Sequence, residues 1–287
     1  MKDASQIRHD FKKSLNSGKT LQFPGAFNAL VALLIERYEF DGVYCSGAVA
    51  ANSLGLSDTG LTSLDQVVQF SQQIQKSTSL PVISDIDTGF EDISETIYKM
   101  EKTGIAGIHL EDQVDAKLCG HLDGKQLITP REMVMKVAKA VQSKTDSNFQ
   151  VFARTDAKSV EGINSAIDRA KAYVDAGADA IFPEALHDQW EMEKFRKAIP
   201  VPLLSNMTEF GKTELLSVNQ IQDLGYNMVI YPVTMQRLAM MAVENGLESI
   251  KSKGSQKDIV SEMQTRKRLY DVLDYDYFQK KQQNHGR

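Results

Sequence analysis

Short β-branched or aromatic runs alternate along this chain with longer stretches whose apolar residues recur at the helical period. The runs fall at 19–26, 42–47, 80–87, 105–112, 149–156, 178–184, 201–206 and 226–232. Each is followed by a helical stretch, at 28–38, 64–76, 93–104, 130–143, 163–177, 189–199, 217–225 and 233–246. Within 163–177, Ile163, Ala166, Ile167, Ala170 and Val174 draw one apolar stripe. Gly104, Gly177 and Gly225 stand where three of these helices end, as expected of a residue that turns left-handed without strain. Several runs are apolar at nearly every position, which suits parallel strands buried on both faces. Eight strand–helix units predict an α/β fold, a closed (β/α)8 barrel of TIM type, with an open doubly wound sheet as the alternative. No Gly-x-Gly-x-x-Gly follows the first strand to favour dinucleotide binding. Residues 1–287 read as a single barrel domain with an N-terminal helix and a C-terminal helical extension at about 256–278. Ile259, Met263, Leu269 and Val272 would give that extension an apolar face, and a polar tail follows.

Composition narrows the partners. A formal net charge of −5 offers no basic face for nucleic acid. No apolar run is long enough to span a bilayer, and the N-terminus lacks an apolar signal core, so a cytoplasmic protein without membrane contact is expected. In that compartment the two cysteines, Cys45 and Cys119, are expected to be free thiols. Cys45 reads as packing. Cys119 stands in KLCGH, between a lysine and a Gly-His pair, which is an unusual place for an inert thiol.

A (β/α) barrel builds its site at the carboxyl ends of its strands. Those ends carry Tyr44, Cys45, Ser46 and Gly47; Asp85 and Asp87; His109, Glu111 and Asp112; Arg154 and Asp156; Glu184; and Asn206, Met207 and Thr208, with Arg237 early in the eighth helix. Asp85 and Asp87, two apart on a strand, are expected to point to one side. With Glu111 and Glu184 they offer the hard oxygen donors that suit Mg2+ or Mn2+. Arg154 and Arg237 offer planar forks for carboxylates. Each motif has a plainer explanation: a turn for the Asp-x-Asp, a satisfied core histidine for His109, a structural ion pair for Arg154 with Asp156. Their recurrence at the ends of six strands favours a common site, one suited to a small polycarboxylate chelated to a metal.

DIDTGF (85–90), HLEDQ (109–113), KLCGH (117–121), ARTDA (153–157), FPEA (182–185), NMTEFG (206–211) and MQTRKRLYD (263–271) together resemble the isocitrate lyase / phosphoenolpyruvate mutase superfamily. The likeness runs from about residue 20 to about 275, and the cysteine loop after Glu-Asp-Gln is specific to the lyase branch, the mutase branch lacking it; the motifs together look most like the lyases that cleave 2-methylisocitrate. The resemblance implies a barrel whose last helix is swapped between subunits, giving a homo-oligomer that is a dimer of dimers. It implies Mg2+ (or Mn2+) near Asp85 and Asp87, with Glu111 close by, and a tricarboxylate substrate met by Ser46, Gly47, Ala48, Cys119, Gly120, Arg154, Glu184, Asn206, Met207, Thr208, Arg237 and Arg266. The implied reaction is retro-aldol cleavage to pyruvate and succinate, a step of propionate breakdown in the methylcitrate cycle. Tyr44, His109 and Glu111 are the expected catalytic groups beside Cys119, and Lys117, Cys119, Gly120 and His121 the gating loop. On this reading pyruvate leaves as an enolate whose charge the metal absorbs, and Cys119 protonates the succinate carbanion. Two positions depart from the family's pattern: Leu118 replaces a basic residue directly before the cysteine, and Ala48 a glycine. An oxaloacetate or other 2-oxoacid decarboxylase, or another lyase of the superfamily, is the alternative, followed by a non-catalytic binding protein.

Overall fold

The structure, a computed structural model, describes residues 3–275. Helix α1 (Ala4–Leu15) precedes β1 (Leu21–Pro24), and α2 (Ala29–Arg37) follows it. Strand β2 (Val43–Cys45) leads into α3 (Gly47–Ser53) and α4 (Leu64–Gln75); β3 (Val82–Asp85) into α5 (Ile93–Lys102); β4 (Gly107–Glu111) into α6 (Pro130–Ser143). Strand β5 (Gln150–Thr155) is followed by α7 (Lys158–Glu161) and α8 (Ile163–Asp175), β6 (Ala180–Pro183) by α9 (Gln189–Ala198), and β7 (Leu204–Asn206) by α10 (Val218–Asp223). Strand β8 (Met228–Tyr231) opens into α11 (Thr234–Lys253), a 3-10 helix (Lys257–Glu262) and α12 (Arg266–Val272).

The eight strands pair only in parallel. Strands β2 to β6 form one ladder in chain order, and β7, β8 and β1 form another. Single bridges, Gly25 to Tyr44 and Ile181 to Leu203, join the two ladders and close the eight-stranded ring. The closed barrel is therefore the right architecture and the open sheet is not.

The sequence reasons for these elements are local. Ser63, Thr129 and Ser217 each start a helix with a full capping box, which satisfies two orphan donors at once. Gly104, Gly177 and Gly225 adopt φ of 91°, 99° and 80°, the left-handed turn expected of them. The eighth helix differs from expectation: it runs through Gly246 and stops only at Gly254, whose φ is 68°. Helices α3 and α7 arise where no helix is predicted. The expected 256–278 helix is broken into two pieces, and of its apolar face only Val272 is buried; its end and the polar tail lie outside the described residues.

Strand side chains alternate between two cores. On β2, β3 and β5 the outward Val43, Cys45, Val82, Val151 and Ala153 join the shell against the helices. The inward Tyr44, Ile83, Phe152, Phe182 and Ile230 fill the barrel, which Phe11 and Leu15 of α1 plug from below. Cys45 thus packs outside the barrel. Among the described residues no helix is long and apolar enough to cross a membrane.

Candidate active site

The parity that points Tyr44 and Phe152 inward also points Asp85, His109, Glu111, Arg154 and Glu184 inward, nearer the strand ends. Register stacks them: Asp85 lies opposite His109, and Glu111 opposite Arg154. Asp85, Arg154 and Glu184 line a cavity of about 280 Å³ together with Tyr44, Ser46, Ala48, Lys117, Leu118, Cys119, Gly120, His121, Asn206, Thr208 and Arg237; His109 and Glu111 lie behind this lining, His109 against Tyr44 and Glu111 against Arg154.

Tyr44 Oη and His109 Nε2 lie 2.6 Å apart, and both side chains are buried. Burial drives the His109 pKa down to about 4, so the imidazole is neutral, and the tautomer with its proton on Nδ1, toward Asp85, leaves Nε2 to accept a hydrogen bond from the Tyr44 hydroxyl. His109 Nδ1 then faces Asp85 Oδ1 at 3.7 Å. The Tyr44 phenol is held well above its usual range by burial and by the Asp85 charge.

Asp85 and Asp87 converge by a route the strand period does not supply. The strand stops at Asp85; Asp87 adopts φ 51°, and its amide donates to Asp85 Oδ1 at 2.9 Å in a tight turn. A Cβ on Gly47 would lie 2.9 Å from both Asp85 Oδ2 and Asp87 Oδ1, so only glycine leaves the space over the pair. Burial raises Asp87 to about 6, helped by repulsion from Asp85. Burial acts on Asp85 as well, but His109, Lys117 and Arg154 more than offset it and lower its pKa. Glu111 is buried with neither carboxylate oxygen hydrogen-bonded, and burial pushes its pKa well up. Among the described residues no three carboxylate, imidazole or thiolate groups form a ready-made metal cluster. The donors present nevertheless fit a hard divalent cation: two convergent carboxylates under a glycine, with unsatisfied Glu111 oxygens nearby. A cation that keeps several waters needs no more.

Arg154 is gripped by Asp156 through Nε at 2.9 Å and Nη2 at 3.1 Å, with Glu111 at 3.3 Å and Glu184 at 3.4 Å. The ion pair is thus structural and lines the cavity too. Glu184 stays ionised: burial opposes this, but Arg154 and His121 lower its pKa. Asn206 Nδ2 donates to it at 3.2 Å.

The KLCGH loop lies closed on this floor. Lys117 reaches Asp58 at 2.7 Å and Asp87 at 2.5 Å. His121 Nε2 meets Glu184 at 3.1 Å, and its Nδ1 accepts from the Lys212 amide at 2.9 Å. A Cβ on Gly120 would sit 2.5 Å from Arg154 Nη2 and Glu184 Cγ, so the loop rests directly on those side chains. Burial raises the Cys119 pKa; the thiol keeps its proton at neutral pH.

Three of the expected substrate residues do not line this cavity: Met207, Arg266 and Gly47, the last lying against Asp85 and Asp87. Met207 is turned into the outer core, where its sulfur accepts the Leu216 amide at 3.2 Å. Arg266 is exposed at the start of α12 and does not line the cavity. Arg237 lines it only at the rim, tied to Glu209 at 3.0 Å and over the Phe210 ring. Asp58, Lys125 and Lys212 support the loop and went unread in the sequence, as did the role of Gln113 within HLEDQ, because their partners are distant in the chain or are main-chain atoms.

Fold and site together define a (β/α)8 barrel with an arginine- and carboxylate-bearing mouth closed by a cysteine loop. The family model described as phosphoenolpyruvate phosphomutase matches residues 11–251, and the chain belongs to that family. It is 50% identical to a probable 2-methylisocitrate lyase 2 of Corynebacterium glutamicum, over 96% of this chain and 90% of that one. It is 40% identical to a 2-methylisocitrate lyase of Escherichia coli, over 96% and 94%. Among solved structures, a 2,3-dimethylmalate lyase superposes with a TM-score of 0.92 at 30% identity, covering 100% of this chain and 96% of that one. An oxaloacetate acetylhydrolase in complex with 3,3-difluorooxalacetate gives 0.92 at 27%, covering 99% of each.

Proposed function

We propose that the chain is a carbon–carbon lyase that cleaves 2-methylisocitrate into pyruvate and succinate. One observation carries the reading: a protonated thiol and a tyrosine backed by His109 line a single cavity, beside a fixed arginine. Retro-aldol cleavage needs a base at a hydroxyl and an acid at a carbon.

Arg154 binds and orients a substrate carboxylate, with Ser46, Asn206 and Thr208 as neutral partners. Asp85 and Asp87 would hold a divalent cation, Mg2+ or Mn2+, which when bound supplies a Lewis acid to the oxygens of the hydroxy-acid half. Tyr44 takes the hydroxyl proton as its own passes to His109 Nε2, and Asp85 faces the imidazolium that forms. The oxygen pair becomes the new carbonyl, and the electrons of the breaking carbon–carbon bond stay on the succinate half. Pyruvate therefore leaves as a ketone, which corrects the enolate expected from the sequence. Cys119 donates its proton to the succinate carbon; the thiolate recovers a proton as His109 gives up its own when the loop opens. The closed loop keeps water from acting as the proton source.

The same reading takes 1–287 as one domain that assembles with copies of itself. Supporting it, α11 buries none of its residues and exposes Leu238, Met241, Val243, Leu247 and Ile250. Exchange of C-terminal helices would cover that face and is the route by which Arg266 could reach a site.

The test is pyruvate release from 2-methylisocitrate, isocitrate and oxaloacetate in parallel, with Mg2+ and with EDTA. Metal-dependent cleavage that strongly favours 2-methylisocitrate is expected. Turnover of oxaloacetate alone would move the chain to the alternative, and turnover of none would remove the enzymatic reading.

A further inference from the structure

The cysteine loop rises from a fixed base. Val114 N donates to Gln126 O at 3.0 Å, Ile128 N donates to Asp112 O at 3.0 Å, and Gln113 bridges Leu127 between them. Gln113 stands on this base and is fully buried, yet it does not line the cavity. Its side chain is spent on the main chain of one loop residue. Nε2 donates to Leu118 O at 2.9 Å, and Oε1 accepts from Leu118 N at 3.0 Å. A primary amide carries donor and acceptor in one plane, so it can pair with a residue's backbone as a neighbouring strand would. On the far side of the thiol, the buried Lys125 ammonium bonds Gly120 O. Cys119 is thus suspended between two anchored peptides, and its neighbours Lys117 and His121 are tied by their own side chains.

We propose that Gln113 is a positioning residue that holds the cysteine loop closed by pairing with the backbone of Leu118, and so sets the Cys119 thiol over the cavity. This rests on the reading of Cys119 as the acid. It also gives Leu118 an account: the clamp grips main chain, so it works with a leucine where the family carries a basic side chain.

The test uses two variants of the full chain. Gln113→Met keeps length and bulk and loses both hydrogen bonds; Gln113→Glu keeps the acceptor for Leu118 N but turns a carboxylate oxygen toward Leu118 O. Iodoacetamide labelling at mildly alkaline pH, read by peptide mass spectrometry, reports loop opening without any turnover. Cys45, sealed outside the barrel, is the internal reference. In both variants Cys119 should label about tenfold faster while Cys45 stays unlabelled, because opening is local. On 2-methylisocitrate, kcat should fall by about tenfold with KM within about threefold, since the loop positions the acid rather than the substrate. Native-rate labelling of Cys119 would overturn the proposal. Labelling of Cys45 in step with Cys119 would overturn it too, by showing general loosening. If Gln113→Met does not fold, Gln113→Glu decides alone. Faster labelling in a chain whose native form cleaves no 2-methylisocitrate would sink the substrate assignment and leave the clamp standing.

Discussion

Burial keeps the Cys119 thiol protonated at neutral pH, and returning a proton to carbon requires a protonated acid. Two outcomes follow at the level of this residue. Cys119→Ser should lower kcat by about 10² to 10⁴, the range of a lost general acid, with the substrate Kd little changed in calorimetry. Because the folded thiol sits above its ordinary pKa, its iodoacetamide labelling should be slow at pH 7 and climb only beyond the pH where a free thiol ionises; a plateau at neutral pH would contradict the assignment. The inward residues Tyr44, Asp85, His109, Glu111, Arg154 and Glu184 are legible in the sequence because strand parity and strand ends select them. Asp87 is legible as an acid but not in its geometry, since a left-handed turn and not the strand brings it beside Asp85. Gln113 is legible as part of the HLEDQ motif but not in its role: an amide whose partner is a peptide group leaves no pattern in side-chain chemistry.

Among the elements, the closed loop depends on the absence of one methyl group. Gly120→Ala would place Cβ 2.5 Å from Arg154 Nη2 and Glu184 Cγ, both held in a buried network, so the loop must lift. We expect kcat/KM to fall by about 10²-fold, the usual consequence of an ångström-scale misplacement, with thermal stability nearly unchanged because the loop seals a mouth and not the core. A native kcat/KM would show that the loop does not need this seat. The eight strands and their helices are legible from period alone, and the capping boxes at Ser63, Thr129 and Ser217 sharpen three of the starts. Helices α3 and α7 are not legible; at seven and four residues they are too short to show a period of their own. The long run of α11 through Gly246 also escapes, since an isolated glycine weakens a helix without ending it.

At the scale of the molecule, α1 locks the barrel floor through one buried arginine. Arg8 Nε donates to Ile105 O at 2.8 Å, Nη2 to Glu101 O at 2.6 Å, and Nη1 to Asp146 at 3.2 Å. Arg8→Met should cost about 3 kcal/mol in chemical denaturation, because it leaves the buried Ile105 and Glu101 carbonyls without this donor and removes the ion pair to Asp146, yet leave kcat near native since the site is at the other end. A stability within experimental error of native would show that the plug is dispensable. Barrel closure is legible only as a count of eight units; the sequence holds no sign that the ring consists of two ladders joined by single bridges. That division bears on how the protein is made. The first strand leaves the ribosome early, but Leu21 pairs with Met228, about two hundred residues later in synthesis. The five strands β2 to β6 can zip in the order they emerge, whereas β1 stays without a ladder until β7 and β8 arrive. The nascent chain therefore carries an unsatisfied strand edge for most of its translation, and that interval is when it is most exposed to aggregation and to chaperones.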